Sequence, residues 1–102
     1  MPKITVRVPH KLPAAEAFAK VEPALQKTVT DFQGHDLALV GSDTSQTFTF
    51  KSMAFTIKGK VEATDQEVVV EIDLPFAAMM FKDKAERAIT KNVTRALAAT
   101  SG

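Results

Sequence analysis

The sequence contains no cysteine, no tryptophan and no tyrosine, and it has only two histidines and four glycines. Without cysteine, the chain cannot form a disulfide, offer a thiol nucleophile or bind a metal through sulfur. No two glycines are separated by a single residue, so the Gly-x-Gly pattern of phosphate-binding loops is missing. All seven aromatic residues are phenylalanines, which fill cores but offer no polar tip. These absences remove most of the usual enzyme sites.

The chain also lacks a strong charge of either sign, because 13 basic and 12 acidic residues leave a net charge of +1. A nucleic-acid-binding domain is expected to be distinctly basic, so we expect no nucleic-acid partner. No segment approaches the roughly 18–20 continuous apolar residues of a membrane span. The first eight residues alternate between polar and apolar, unlike a signal peptide. We therefore expect a cytoplasmic protein without a membrane span.

The 102 residues match the size of one compact domain, which we expect to cover residues 1–102. Residues 3–8 alternate in polarity, which predicts a half-buried strand. In residues 14–33, apolar side chains recur every three or four positions, which predicts an amphipathic helix. We expect Gly34 to end this helix. Pro23 lies off the apolar stripe and is expected to kink the helix or divide it into two.

Residues 36–74 contain four apolar or alternating segments separated by turn residues, which predicts four consecutive strands. Gly59 occupies an inner position of the third of these strands. A glycine there suggests a β-bulge or a close approach of the packing helix to the backbone.

The last two strands are expected to form a hairpin through a tight Asp65-Gln66 turn. That turn sets Lys60 opposite Glu71 and Lys58 opposite Asp73. Opposite charges across an antiparallel pair stabilise it by about 0.2–1 kcal/mol each. A register shifted by two residues would instead place two glutamates opposite each other.

Pro75 ends the strands, and residues 76–99 predict a second, longer helix. Its expected core stripe consists of Ala78, Phe81, Ala85, Ile89, Val93, Ala96 and Leu97. The order is therefore strand, helix, four strands and long helix. This order predicts an α+β fold, with a curved antiparallel sheet and both helices packed on one face.

Candidate catalytic or metal-binding side chains are few. His10 and His35 are separated by a whole predicted helix, without the His-x-x-His spacing of metal sites, and we expect capping or surface roles for both. Glu67, Glu71 and Asp73 fall on the outer face of a strand beside lysines, which indicates a solvated row of charges. We therefore expect no catalytic residue, no cofactor and no metal, and a protein that is not an enzyme.

Two features of the last helix are candidates for an interaction surface. The first is a basic stripe formed by Lys84, Arg87, Lys91 and Arg95. Residues 77–102 hold five basic and two acidic side chains, so this segment carries +3 and the remainder of the chain −2. Such a stripe suits phosphates, an anionic surface or an acidic partner. An ordinary solvated face, with an Asp83–Arg87 ion pair, is the favoured alternative.

The second feature is the apolar block of residues 74–81, at the start of this helix. The helical spacing points Met80 toward the basic side and leaves Met79 at the edge of the core stripe. These two methionines form either an exposed contact surface or part of a buried corner between sheet and helix.

Several segments together resemble a known family. They are Ile4-x-Val6-x-x-Pro9-His10-x-Leu12, Glu16-Ala17, Lys58-Gly59-Lys60-Val61-Glu62, the strand of residues 68–74 and the closing charged helix. The chain resembles the polyhydroxyalkanoic acid system family of small bacterial proteins over residues 3–97. The resemblance implies an association with polyhydroxyalkanoate granules and no catalytic residue set.

The leading hypothesis is therefore a non-enzymatic cytoplasmic protein that associates with a polyester granule or with a granule-coating protein. The alternative is a small apolar-ligand binding module of helix-grip type, in which the sheet and long helix enclose an apolar groove. A fully packed core beneath the long helix would exclude this alternative. A homodimer, formed by edge-strand pairing or helix packing, is compatible with either hypothesis.

Overall fold

The computed structural model of the protein describes residues 3–52 and 55–98. Its elements, in chain order, are β1 (Lys3–Pro9), α1 (Ala14–Asp31), β2 (Gly34–Gly41), β3 (Ser45–Ser52), β4 (Phe55–Ala63), β5 (Glu67–Asp73), a 3-10 helix (Phe76–Phe81) and α2 (Lys82–Ala98). The strands form one antiparallel sheet in the order β1-β5-β4-β3-β2. The predicted α+β fold and element order are confirmed.

One face of the sheet and the two helices enclose the core. In β1 every second residue is buried, which gives the period of two that the sequence predicts. The buried side chains of the sheet include Ile4, Val6, Val8, Phe48, Phe50, Ile57, Val61, Val68, Val70 and Ile72. Those of the helices include Phe18, Val21, Leu25, Val29, Ile89 and Val93. All of these belong to a single hydrophobic cluster.

The first helix runs without interruption from Ala14 to Asp31, although Pro23 lies inside it. The predicted division into two helices is therefore wrong. Pro23 is exposed, so the helix carbonyl that loses its hydrogen bond to this residue can bond to water instead. Packing of the buried stripe on the sheet holds the helix together across the proline.

The end of α1 differs from the prediction in which residue adopts the left-handed conformation. Gln33 has φ of 57°, whereas Gly34 already belongs to β2. Glycine is required at position 34 for space, because a Cβ there would lie 2.6 Å from Val29 Cγ1 and 2.9 Å from Phe50 Cδ2. The left-handed residue at the end of α1 is therefore Gln33, and not Gly34 as predicted.

The predicted β4–β5 hairpin is confirmed. Lys60 pairs with Glu71 and Lys58 with Asp73 across the two strands. The ion pairs, however, do not follow this register. Lys60 Nζ lies 3.4 Å from Glu62 Oε2 on its own strand, and Glu71 Oε2 lies 3.6 Å from a lysine of β1. Because these side chains are about half exposed, each pair contributes little to stability.

Neither predicted explanation of Gly59 is correct. The β3–β4 register runs through Phe48↔Gly59 without a shift, so this position has no bulge. The groups that approach Gly59 are the ring of Phe48 and the carbonyl of Glu71, not a helix, because a Cβ there would lie 2.8 Å from Phe48 Cε2 and 2.6 Å from Glu71 O. Glycine therefore provides the space that a buried aromatic ring of the neighbouring strand occupies.

The second helix begins later than predicted. Residues Phe76–Phe81 form a 3-10 helix, and regular α-helix starts only at Lys82. The backbone N–H of Ala78 donates to the carbonyl of Pro75, three residues earlier, which is the 3-10 pattern. This tighter winding buries Ala78. The predicted helix end at residue 99 lies outside the described residues.

Candidate functional site

The structure contains a cavity of about 160 Å³ between the sheet, the 3-10 helix and α2. Its buried walls are formed mainly by apolar side chains: Phe50, Ile57, Ile72, Leu74, Ala78 and Ile89. Half-buried Phe32, Phe55, Phe81 and Ala85 complete the apolar lining. This part of the interface between the sheet and the long helix is therefore not fully packed, so the condition that would exclude a ligand-binding module is not met.

Two polar side chains in the cavity wall are already engaged within the protein. The buried hydroxyl of Thr28 donates to the carbonyl of Ala24 at 2.9 Å. The hydroxyl of Ser52 donates to the carbonyl of Phe32 at 2.7 Å. The wall therefore offers a ligand apolar contacts and little hydrogen bonding.

Three exposed lining residues mark the mouth of the cavity: Asp31, Gln33 and Lys84. The Asp31 carboxylate accepts hydrogen bonds from Lys27 Nζ at 3.1 and 3.3 Å. Lys84 Nζ lies 5.9 Å from the centre of the Phe32 ring, at cation–π distance. An apolar interior with a polar, partly cationic mouth can accommodate an amphiphilic molecule.

A buried polar contact joins the two helices next to this mouth. Asn92 is 5% exposed, and its amide donates to Thr28 Oγ1 at 2.8 Å and to Asp31 Oδ2 at 3.4 Å. The hydrogen bond from Lys27 lowers the pKa of Asp31, assisted by the bond from Asn92 and the charge of Lys91, while desolvation opposes them. The sequence contains one signal of this contact. Asn92 lies three residues after Ile89, a member of the core stripe, which places it on the same side of α2.

The methionines named from the sequence lie on the outer side of the 3-10 helix. Met79 is 48% exposed and Met80 is 81% exposed, and Phe76 beside them is 70% exposed. We call these three residues the apolar patch. The same 3-10 helix thus lines the cavity on its inner side and carries exposed apolar groups on its outer side.

The four residues of the basic stripe lie at two separate sites on the surface. Lys84 turns to the cavity mouth, whereas Arg87, Lys91 and Arg95 line a shallow groove on the outside of α2. The predicted Asp83–Arg87 ion pair does not occur, because Arg87 Nε donates to the backbone carbonyl of Asp83 at 3.4 Å. Asp83 and Glu86 line the same groove, so its three basic and two acidic side chains leave a net charge of +1.

The histidines have the minor roles that their positions predict. His10 Nδ1 accepts a hydrogen bond from the backbone N–H of Leu12 at 2.9 Å, which closes the turn before α1. His35 Nδ1 lies 3.1 Å from a carboxylate oxygen of Asp36, and both side chains are exposed. Within residues 3–52 and 55–98, no group of three histidine or acidic side chains is arranged to hold a metal ion.

The acidic residues of β5 form a solvated row of charges, as predicted. Glu67 pairs with Arg7 at 2.6 Å and Glu71 with Lys3 at 3.6 Å, both from β1.

In the part of the chain that the structure describes, no helix is long and apolar enough to cross a bilayer.

Comparison with known proteins gives one family and several structural neighbours. The model of the family described as polyhydroxyalkanoic acid system protein matches residues 4–97. A search of curated proteins finds no significant match.

Among solved structures, the chain is similar to DynU16, a protein of the dynemicin biosynthetic locus, with a TM-score of 0.63 and 11% identity. The alignment covers 91% of this chain and 46% of DynU16, so the chain spans about half the length of that protein. At this identity the likeness concerns the fold alone, which is of helix-grip type.

Two further structures give lower scores. Ara h 8.0201 aligns with a TM-score of 0.47 at 13% identity, covering 94% of this chain and 97% of that one. TTHA0849 from Thermus thermophilus aligns with a TM-score of 0.39 at 10% identity, covering 94% and 92%.

Proposed function

Because the chain belongs to the polyhydroxyalkanoic acid system protein family, we propose that it is a non-enzymatic accessory protein of polyhydroxyalkanoate granules in the cytoplasm. In this proposal the protein attaches directly to the granule surface. The observation that carries the proposal is the apolar patch of Phe76, Met79 and Met80 on the outside of the 3-10 helix. A protein that coats the granule is the alternative attachment point.

The apolar patch suits a polymer surface because its three exposed side chains lie within one segment of five residues. Complete burial of a phenylalanine or methionine side chain contributes about 1.5–3 kcal/mol. The three side chains are 70%, 48% and 81% exposed, so covering them removes a substantial apolar area from water. We estimate a gain of about 4 kcal/mol before the entropic cost of association. Methionine side chains also adapt to irregular surfaces.

The outer groove of Arg87, Lys91 and Arg95 adds an electrostatic contribution. These exposed residues lie on α2, which follows the 3-10 helix that carries the apolar patch. Cationic side chains beside an apolar contact strengthen adsorption to a surface that carries phosphate or carboxylate groups. The attraction of exposed charges is screened by salt, so this contribution is expected at low ionic strength only.

Sedimentation with purified native granules tests the proposal. We expect wild-type protein to pellet with granules and the Met79→Ser/Met80→Ser variant to remain largely in the supernatant. Val40→Ser is the matched control, because Val40 is 71% exposed but lies on β2. The proposal is wrong if wild-type protein stays in the supernatant, or if the double variant pellets as well as the control.

Salt dependence tests the basic groove separately. A variant with Arg87→Gln, Lys91→Gln and Arg95→Gln is expected to pellet less than wild type at low ionic strength and equally well at high ionic strength. An equal response of both proteins at every salt concentration would show that these side chains do not contribute to attachment.

A second candidate function is supported by the cavity, whose apolar lining and volume of about 160 Å³ suit a small apolar ligand. The corresponding experiment is titration with hexan-1-ol, followed by two-dimensional NMR. A ligand-binding module is expected to show saturable shifts at cavity residues such as Ile57, Ile72 and Ile89. The module is excluded if these resonances do not respond.

A homodimer is compatible with both functions. β1 and β2 are the edge strands of the sheet, and an edge strand presents unpaired backbone groups to a second chain. A solution mass that rises from one to two chains with concentration would support the dimer. A constant single-chain mass would argue against it.

A further inference from the structure

We propose that the cavity binds a short monocarboxylic acid, with its alkyl chain between sheet and α2 and its carboxylate at the mouth, beside Lys84 and Gln33. This inference rests on the second candidate function, the ligand-binding module, and names the chemical class of its ligand.

The volume of the cavity limits the length of the ligand's alkyl chain. A protein cavity of about 150 Å³ lined by apolar side chains accommodates benzene, a group of about six carbons. The cavity here measures about 160 Å³ and has a similar apolar lining of phenylalanine, isoleucine and leucine side chains. It therefore accommodates an alkyl chain of about six carbons. Longer chains would have to extend past the mouth into water.

Among the described residues that line the cavity, the hydrogen-bonding groups that remain available lie at the mouth. In the cavity wall, the hydroxyls of Thr28 and Ser52 already donate to backbone carbonyls. At the mouth, Asp31 is occupied by Lys27. Among the described residues, the Lys84 ammonium contacts the Phe32 ring but no carboxylate. A ligand with one polar end would therefore place that end at Lys84.

The charges at the mouth select the sign of that polar end. Lys27 and Asp31 compensate each other as an ion pair at 3.1 Å. The positive charge of Lys84 remains without an anionic partner in the described part of the molecule. A carboxylate can accept a charge-assisted hydrogen bond from this ammonium, and such bonds are about twice as strong as neutral ones. The hydroxyl of an alcohol of the same length can accept a hydrogen bond from the ammonium but carries no negative charge to pair with it.

Gln33 is the second donor at the mouth. Its side chain lines the cavity opening and has no hydrogen-bond partner within residues 3–52 and 55–98. Its backbone is left-handed, with φ of 57°. Glycine adopts this conformation without steric cost. Gln33→Gly therefore removes the amide from the mouth without straining the end of α1, which makes it a variant whose folding is not in question.

The test compares hexanoate with hexan-1-ol on the full-length protein by NMR titration near neutral pH. We expect hexanoate to bind about tenfold more tightly than hexan-1-ol, because only the carboxylate carries a negative charge that pairs with the Lys84 ammonium. Lys84→Met is expected to weaken hexanoate binding about tenfold more than hexan-1-ol binding, so that the preference for hexanoate is lost. Arg87→Met is the matched control, since it removes the same charge from the outer groove, and should change neither affinity.

Two results distinguish a failure of the carboxylate assignment from a failure of the ligand-binding module. If both ligands bind equally and Lys84→Met affects neither, the cavity binds apolar molecules but the carboxylate assignment is wrong. If neither ligand shifts the resonances of the cavity residues, the ligand-binding module itself is wrong. Gln33→Gly gives an independent check: it is expected to weaken hexanoate binding, and an unchanged hexanoate affinity would remove Gln33 from the site. Ala85→Leu should fill part of the cavity and weaken both ligands.

Discussion

Substitution of Gly59 by alanine is expected to destabilise the protein, because the ring of Phe48 occupies the space above this residue. A Cβ at position 59 would lie 2.8 Å from Phe48 Cε2 and 2.6 Å from the carbonyl oxygen of Glu71, where ordinary contacts measure 3.4–4 Å. Phe48 is 1% exposed, so its ring cannot move out into solvent. The ring must instead shift against Phe50, whose centre lies 6.2 Å away in a stacked arrangement.

The expected cost follows from these contacts. Overpacking of a core costs about 1–3 kcal/mol, and disturbing an aromatic pair costs about 0.5–1.5 kcal/mol. Alanine recovers up to about 1 kcal/mol, because it reduces the entropy of the unfolded chain relative to glycine. We therefore expect Gly59→Ala to lower the free energy of unfolding by about 2 kcal/mol.

Urea denaturation followed by far-ultraviolet circular dichroism measures this change, since the chain has no tryptophan or tyrosine for fluorescence. With a denaturant slope of about 1.3 kcal/mol/M, the midpoint should fall by about 1.5 M. Lys58→Ala on the exposed face of the same strand is the control and should change stability by less than about 0.5 kcal/mol.

A double-mutant cycle with Phe48→Leu tests the reason for the effect. Leucine lacks the outer ring atoms, so Gly59→Ala should cost at least about 1 kcal/mol less in the Phe48→Leu background than in wild type. Part of the cost should persist, because the carbonyl of Glu71 remains close. Additive effects of the two substitutions, within about 0.5 kcal/mol, would refute the assignment of this glycine to the Phe48 ring.

Three further predictions concern the helices. Asn92→Ala should lower the free energy of unfolding by about 1–2 kcal/mol, because it removes the buried bond to Thr28; an unchanged thermal midpoint would contradict this. Pro23→Ala should stabilise α1 by about 1–2 kcal/mol, since alanine restores a helix hydrogen bond at an exposed position; a lower midpoint would show that the proline is needed. The pKa of Asp31, measured by carboxyl NMR, should lie below its usual value and rise in Lys27→Ala. Because this pKa is lowered by folding, its stabilising contribution is present above the unfolded-state pKa and disappears as the pH falls through the folded-state pKa. An unshifted pKa in wild type would contradict the assigned contact.

The sequence predicts the fold well where periodicity and local chemistry determine it. Alternating polarity identifies β1, and the Asp65-Gln66 turn with the flanking charges fixes the register of the β4–β5 hairpin. Local patterns do not identify the tertiary neighbours of a glycine. Gly34 and Gly59 are required for the space taken by side chains from other elements, which no local signal distinguishes from a turn or a bulge.

The candidate site is predictable only in part for the same reason. Met79 and Met80 can be identified from the sequence as candidate contact residues, because one helix face cannot bury all eight consecutive apolar residues of segment 74–81. The cavity is assembled from α1, three strands, the 3-10 helix and α2, and its existence depends on how closely these elements approach. Lys84 appears in the sequence as one member of a basic stripe, and only the tertiary structure places it beside Phe32 at a cavity mouth.

The proposed function depends on direct attachment of the apolar patch to the polymer. Adsorption to a protein-free polyhydroxyalkanoate film, measured with a quartz crystal microbalance, tests it most directly. We expect saturable adsorption of wild type and of Val40→Ser, and adsorption at least about tenfold weaker for Met79→Ser/Met80→Ser. Failure of the wild-type protein to adsorb, or equal adsorption of all three proteins, would contradict it.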